Sequence, residues 1–344
     1  MTTAVLRRVE QGLLPFHPLR HMGQVADLMN EVFAGELGPW ARQTLRRMQR
    51  IARWGMLGFL IWGMDLEQES PGFVWVEDGR VVGNISFRRA AAAGGWMIGN
   101  VAVHPRWRGR SIGRALVEAA LEEIANRGGT WVGLEVRADN AAARHLYERL
   151  GFEPVGESLE LLRPEGLPWP GTALHPLPVR RASAAESHAL YLLARDGLTR
   201  IHQEVLEIRP SAYRAGWEPR VSAWLEGRNE DWWVLKDEGG LTGALRLTAY
   251  RSWRWHEVEV LVRPPRMDDL GGPLVATALR FLARRPLWET VTTLPGGRMR
   301  LETFFADAGF RPLRRLLQMR RMLGTPVNIR TVERVQDVHP APSS

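Results

Sequence analysis

The chain has 344 residues, 45% of them hydrophobic and none cysteine, with 46 basic against 38 acidic residues for a net charge of +8. That length suits two domains, and that composition supports a core, which excludes a chain disordered throughout. The missing cysteine excludes disulfides, thiolate metal sites and a cysteine nucleophile.

A positive balance suits anionic ligands: phosphates, CoA or nucleic acid. Only Lys236 is a lysine, and the arginines are spread through both halves. A general preference for arginine therefore explains the charge more simply than a nucleic-acid surface does. The opening stretch MTTAVLRRVEQGLLPFHP lacks the apolar core and small-residue cleavage site of a signal peptide. The most apolar run, Trp54–Met64, is far shorter than the roughly 20 residues of a membrane span. These features predict a soluble, cytoplasmic protein with no membrane partner.

In chain order, LLPFHPLR reads as a short strand. HMGQVADLMNEVFAGE has helical spacing at Val25, Leu28, Met29 and Val32, before Gly35 and Gly38 interrupt. PWARQTLRRMQRIARWG reads as a second helix, with Pro39 suited to its first turn. Around it, Trp40, Trp54, Phe59 and Trp62 form either an apolar wall for an acceptor or, more simply, a face buried against the sheet. GFVWVEDGRVVGNISFRR predicts a hairpin turning at Asp78-Gly79. GWMIGNVAV is the next strand. A helix over Gly113–Asn126 buries Leu116, Ala119, Ala120 and Ile124 and turns Arg114, Glu118 and Glu122 to water. TWVGLEV is a strand. A helix over Ala141–Leu150 ends at Gly151, a left-handed cap, with Phe152 packing back on it.

Five prolines between Arg163 and Pro178 deny helix and interior strand. The predicted organisation is a first domain over 1–163, a Pro-rich linker over 164–177, a second domain over 178–325 and a tail over 326–344. The halves look alike. VAVHPRWRGRSIGRALVEAALEEI, from Val101, matches VLVRPPRMDDLGGPLVATALRFL, from Val260. RHLYERLGFEPV matches ETFFADAGFRPL. Strand, loop, helix, strand, helix and Gly-Phe recur after about 158 positions, which points to duplication.

The loop RWRGRSIGRALVEAA, Arg106–Ala120, puts glycine and arginine at a helix start. Backbone N–H groups there lack partners and the dipole favours negative charge. Glycine lets a phosphate approach the backbone, and arginine adds paired donors. Strand, loop and helix together make a pyrophosphate cradle. Neither G-x-G-x-x-G nor G-K-[ST] is present.

VAVHPRWRGRSIGRALV resembles the acyl-CoA loop of the GNAT superfamily of N-acetyltransferases, whose pattern is Arg or Gln, two residues, Gly, one residue, then Gly or Ala. Here it stands as Arg108-Gly109-Arg110-Ser111-Ile112-Gly113, with Ser111 in place of the middle glycine. Serine is a good helix N-cap, and its hydroxyl can donate to phosphate. LEVRADNAAARHLYERLGF, Leu134–Phe152, is similar to the ribosomal-protein-alanine acetyltransferase branch. Together these motifs cover about a third of the first domain. The tandem arrangement resembles that of mycothiol synthases in architecture only.

The resemblance implies an α+β fold: tandem GNAT-like domains, each a central mixed sheet flanked by helices. It implies acetyl-CoA as co-substrate. The strand Val101, Ala102 and Val103 would pair with the pantetheine arm through the backbone of Val101 and Val103. Arg108, Gly109, Arg110, Ser111, Ile112, Gly113 and Arg114 would hold the pyrophosphate. Asn140, Ala143 and Tyr147 would contact the arm, with Tyr147 near the sulfur.

Without cysteine, direct attack by a primary amine in a ternary complex is the natural mechanism. Tyr147 is the candidate general acid, against a plain role as an apolar contact on its helix. In the resembling branch the glutamate of LEVR acts as base, which implies that role for Glu135, through water. Its plain alternative is a solvated strand carboxylate or a partner for Arg137. Asn100 is placed to orient a water, and Asn140 or Asp139 to cap the helix. His104 has little claim to catalysis. No histidine has metal-ligand spacing, so no metal is expected.

In the second half, Asp268 and Asp269 occupy the phosphate position, where like charge is costly. Phe305 replaces Tyr147 and Arg298 replaces Asn140. A degenerate domain that binds no CoA is expected. The acceptor is a small-molecule or peptide amine, and the chain a monomer or homodimer. The rival readings are a non-catalytic acyl-CoA-binding sensor and a nucleic-acid binder using YRSWRWHEV and RPLRRLLQMRR, though strand alternation explains both stretches more simply.

Overall fold

Strand exchange between the two halves organises the molecule. The computed structural model describes residues 11–33, 72–169 and 177–324. The second predicted helix, the Trp40–Met64 region, half of the linker (170–176) and the tail lie outside the described residues.

The first half starts with β1 (Gly12–Pro15) and α1 (Pro18–Val32). Pro18 sits in the first turn of α1, where its missing N–H removes nothing. Val25, Leu28 and Met29 of α1 bury against Val74, Val76, Val81 and Ala102, as the helical spacing predicts. β2 (Phe73–Glu77) and β3 (Arg80–Arg89) form the predicted hairpin. Asp78 and Gly79 both take left-handed backbone, with φ of 49° and 75°, the geometry of a type I′ turn. β4 (Gly95–Val103) leads through the loop into α2 (Ile112–Asn126), followed by β5 (Trp131–Arg137), α3 (Ala141–Arg149) and β6 (Glu153–Arg163).

α2 buries Ile112, Leu116, Val117, Ala120, Leu121 and Ile124. Val117 and Leu121 join the predicted stripe, whereas Ala119 is only half-buried, because the apolar face is centred one row further round the helix. After α3, Gly151 is left-handed at φ 78°, and the Phe152 N–H donates back to the Tyr147 carbonyl at 3.0 Å. This closes the helix in the predicted manner.

The second half runs β7 (Arg180–Arg181), α4 (Ser187–Arg195), α5 (Arg200–Val205), α6 (Trp217–Leu225), β8 (Arg228–Asp237), β9 (Gly240–Tyr250), β10 (Trp255–Val262), α7 (Met267–Leu282), β11 (Glu289–Pro295), α8 (Glu302–Asp307) and β12 (Arg311–Met322). From β10 onward it repeats the first half from β4. Phe310 donates to the Phe305 carbonyl at 3.0 Å, as Phe152 does to Tyr147.

Among the described residues, twelve strands form one continuous sheet in the order β1-β2-β3-β4-β5-β12-β6-β11-β10-β9-β8-β7. The last strand of each half lies in the sheet of the other. β12 pairs antiparallel with β5 from Leu316↔Arg137 to Met322↔Trp131, and β6 pairs antiparallel with β11 from Thr290↔Arg163 to Pro295↔Ser158. β4 with β5 and β10 with β11 are parallel pairs. The exchange also anchors the start of the linker. Arg163, 1% exposed, donates through Nε to the Ala308 carbonyl at 2.9 Å and lies 3.9 Å from the Trp169 ring.

On one face of the sheet, α2 covers Ile85, Phe87, Ile98, Val132 and Leu134, and α7 covers Leu245, Leu247, Val258 and Val260. On the other, α5 from the second half lies over the first half's sheet, with Val205 packed on Met97 and Trp131. Arg88 pairs with Glu207 and Arg320 with Glu204 there.

Candidate functional site

β4 and β5 pair only from Gly95↔Trp131 to Ile98↔Leu134. Beyond Ile98 they part, and the edge of β4 facing β5 is left open. A bulge lies at that point. Asn100 and Val101 of β4 stand opposite the single residue Ile85 of β3, between the pairs Ser86↔Gly99 and Asn84↔Ala102. Asn100 pays for the bulge with a left-handed φ of 55°, and three hydrogen-bonding side chains hold it. Asn84 Nδ2 donates to the Asn100 carbonyl at 2.9 Å, and Asn100 Nδ2 donates to Ser86 Oγ at 2.8 Å. Val101 and Val103 therefore offer backbone at an open edge. Ala102, between them, points its side chain into the core under α1 and pairs with Asn84 of β3, so it does not face the open edge as expected.

The loop at the end of β4 has Gly109 at φ 79° and Ser111 at φ 59°. Arg108, Gly109, Arg110, Ser111 and Arg114 are exposed, and buried Ile112 anchors the helix start. The N–H groups of Ile112, Gly113 and Arg114 precede the first intrahelical bond, which runs from Ala115 to the Ser111 carbonyl at 3.0 Å. Ser111 does not cap α2 with its side chain, contrary to expectation, because its left-handed backbone turns the hydroxyl away from the first turn. That conformation also explains why the resembling pattern has glycine here. Arg108 Nε donates to the Val103 carbonyl at 3.1 Å, and Arg114 pairs with Glu118. His104 accepts from the Arg106 N–H and faces Glu31 at 2.9 Å, a structural arrangement.

Asn140 caps α3, its Oδ1 accepting from the Ala143 N–H at 3.1 Å. Tyr147, 6% exposed, packs among Leu134, Val136 and Phe152 on the α2 side of the sheet. Burial pushes its hydroxyl pKa well up, so it stays protonated.

Glu135 points to the opposite face from buried Leu134 and Val136, as strand alternation requires. It is reachable by solvent, yet the surrounding protein raises its carboxyl pKa through desolvation, with Gln318 opposing that shift by donating a hydrogen bond. Its partner comes from the exchanged strand: Gln318 Nε2 donates to Glu135 Oε1 at 2.7 Å and to Ser158 Oγ at 2.9 Å, and Gln318 Oε1 faces His202 Nε2 at 3.2 Å. Sequence reasoning missed Gln318, Ser158 and His202. Each reads locally as an ordinary strand or helix residue, and no motif marks it.

The same positions in the second half are built differently. The β9–β10 ladder runs unbroken from Trp255↔Tyr250 to Val262↔Gly243, with no bulge. Where Ser86 meets Asn100 in the first half, Arg246 pairs with Glu259 at 2.9 Å, surrounded by Glu257, Glu230 and Tyr213. Phe305 is fully buried in the Tyr147 position. Arg298, in the Asn140 position, is buried and donates to the Ala194 and Leu193 carbonyls. Asp268 and Asp269 occupy the first turn of α7, held by Arg300 and Arg266. Among the described residues no group of three or more His, Asp or Glu is arranged to hold a metal, and no helix is long and apolar enough to cross a membrane.

A bulged strand parting from its parallel neighbour, with a helix N-terminus at the mouth of the gap, defines the fold as that of the acetyltransferase (GNAT) family, here in tandem. Residues 27–152 match the family model described as Acetyltransferase (GNAT) family. Over 53 residues the chain is 51% identical to the [Ribosomal protein bS18]-alanine N-acetyltransferase of Escherichia coli K12, covering 15% of this chain and 36% of that protein. Over 66 residues it is 46% identical to a mycothiol acetyltransferase of Gordonia bronchialis, covering 19% and 21%. The chain thus spans about a third or less of the length of these curated relatives. Among solved structures, a GCN5-related N-acetyltransferase from Sphaerobacter thermophilus aligns with a TM-score of 0.59 at 18% identity, over 90% of this chain and 95% of that one. A tandem GNAT protein from the clavulanic acid biosynthesis pathway aligns at 0.55 and 17% identity, over 92% and 99%.

Proposed function

We propose that the chain is an N-acetyltransferase that moves an acetyl group from acetyl-CoA to a primary amine of a small molecule or peptide, by direct attack in a ternary complex. The observation that carries this reading is the coincidence, in the first half alone, of an open bulged edge at Val101–Val103, a left-handed loop at the start of α2, and an exposed carboxylate of raised pKa at Glu135. The residues present fit an acyl-CoA: Gly109 has open space where a Cβ would stand, and exposed guanidinium groups flank the unpaired N–H groups of Ile112, Gly113 and Arg114.

Bound acetyl-CoA supplies an activated thioester carbonyl. The backbone of Val101 and Val103 orients the pantetheine arm as an added strand, and Arg108, Arg110 and the loop N–H groups bind the pyrophosphate. Backbone freed at the bulge donates to the carbonyl oxygen as it gains charge. Glu135, through water, takes the proton that the attacking amine must lose. Tyr147, held protonated by burial, donates its O–H toward the departing sulfur. The second half binds no CoA in this reading, because Arg246 and Glu259 fill its bulge position and Asp268 and Asp269 oppose a phosphate. The protein acts in the cytoplasm as a monomer or homodimer.

Isothermal titration with acetyl-CoA tests the reading first. One site per chain is expected. An amine panel followed with a thiol-detecting dye then reads turnover, with no background from a chain containing no cysteine. Binding of acetyl-CoA without turnover of any amine, and with Tyr147→Phe behaving like wild type, would instead support a non-catalytic acyl-CoA sensor.

A further inference from the structure

We propose that Gln318, carried into the first half by the exchanged strand β12, is a positioning residue for the Glu135 carboxylate, and that His202 of α5 sets the orientation of its amide. The proposal rests on the reading of Glu135 as base and deepens it: the half that binds no CoA completes the site of the half that does.

The geometry is specific. Gln318 is directly opposite Glu135 in the β5–β12 register and is 0% exposed. A side-chain amide has two N–H donors and one oxygen. Both donor directions are used, toward Glu135 Oε1 at 2.7 Å and Ser158 Oγ at 2.9 Å, and the oxygen faces His202 Nε2 at 3.2 Å. Reversing the amide would set its oxygen against the Glu135 carboxylate, so the amide has one orientation, and His202 with its proton on Nε2 holds it there. Desolvation keeps His202 neutral, and with its proton on Nε2 it serves as a donor to that oxygen. Its ring lies flat on Gly156, where a Cβ would meet it at 2.3 Å. Thr199 caps the start of α5 by accepting from the His202 N–H at 3.2 Å. The ring is thus fixed by α5 and by β6, and the amide by the ring.

The charges around Glu135 leave room for this donor to matter. Glu160 on β6 and Glu207 after α5 push its pKa up, Arg314 on β12 pulls it down, and Gln318 is the group that hydrogen-bonds it directly. Without Gln318 the carboxylate loses a donor aimed at one oxygen, becomes harder to ionise, and is free to rotate.

The test uses the full chain, with Gln318→Met to keep volume and remove the amide. Glu135 is titrated directly by infrared difference spectroscopy, with Glu135→Gln as the subtraction, and the acid limb of the kcat/KM profile is measured alongside. The expected result is an upward move of the Glu135 titration by about one pH unit, the acid limb moving with it, and an acetyl-CoA affinity unchanged by titration calorimetry. If Gln318→Met does not fold, His202→Phe keeps a flat ring on Gly156 and is expected to move both readouts the same way by a smaller amount. A folded variant in which neither the titration nor the acid limb moves would overturn the proposal while leaving the base reading intact. Wild-type turnover and pH profile in Glu135→Gln would overturn the base reading and the proposal with it.

Discussion

Glu135 is exposed, yet desolvation by the surrounding protein, helped by Glu160 and Glu207, raises its carboxyl pKa. A base must be ionised to act, so the acid limb of kcat/KM is expected above the ordinary glutamate value of 4.5. The same shift bears on stability with a definite sign. The folded chain binds this proton more tightly than the unfolded chain does, so the contribution is fully present below the unfolded pKa and is lost as pH rises through the folded one. Glu135→Gln is therefore expected to abolish most turnover yet melt higher than wild type at pH 7 to 8, with the gap closing toward pH 4. Thermal melts of the two proteins across pH check this; a lower melting temperature for the variant at pH 8 would contradict it. Ser111 gives a second residue-scale prediction. At φ 59° it carries left-handed strain that glycine would not. Ser111→Gly should bind acetyl-CoA within about threefold of wild type, whereas the β-branched Ser111→Val should lose about 1 to 2 kcal/mol of stability. Chemical denaturation with calorimetric binding separates the two.

At the scale of elements, α2 and α7 descend from the same pattern and meet opposite surroundings. α2 starts from a loop of exposed arginines beside an open strand edge. α7 starts with Asp268 and Asp269, and its preceding strand keeps an unbroken ladder. Charge reversal alone should not restore binding to the second half, since the bulge is missing as well. Asp268→Ser with Asp269→Gly is expected to leave the stoichiometry at one acetyl-CoA per chain. In the first half, Arg108→Ala with Arg110→Ala should weaken binding by at least about tenfold and flatten its salt dependence, because those guanidinium groups supply the charge-assisted contacts. Calorimetry at two salt concentrations reads both effects.

At the scale of the whole molecule, the exchange of β6 and β12 makes two repeats into one folding unit. Each of these strands is flanked on one side by the other and on the far side by a strand of the opposite half. A fragment ending at Arg163 keeps β6 and loses the sheet that receives it, and β5 loses β12. Such a fragment is expected to show no cooperative melt and no acetyl-CoA binding, while the intact chain melts in one transition. Co-expression of residues 1–169 with 177–344 should recover a complex on size exclusion that binds acetyl-CoA. Independent folding of the first fragment would contradict this view.

What the sequence determined by itself is what residues within a few positions of one another decide. The Asp78-Gly79 turn, the stop at Gly151-Phe152, the glycine-and-arginine loop before α2, the outward face of Glu135 and the repeat of these features in the second half were all legible. Each depends on local backbone preference or on a periodicity of two or 3.6 residues. The bulge at Asn100 was not legible, because its left-handed backbone is held by Asn84 and Ser86 on the neighbouring strand. Only the tertiary structure decided which sheet receives β6 and β12. An alternating strand fits either edge equally well by its own pattern, so the choice falls to contacts between distant parts of the chain. That choice brings Gln318 of the second half to Glu135 of the first across 183 positions of sequence.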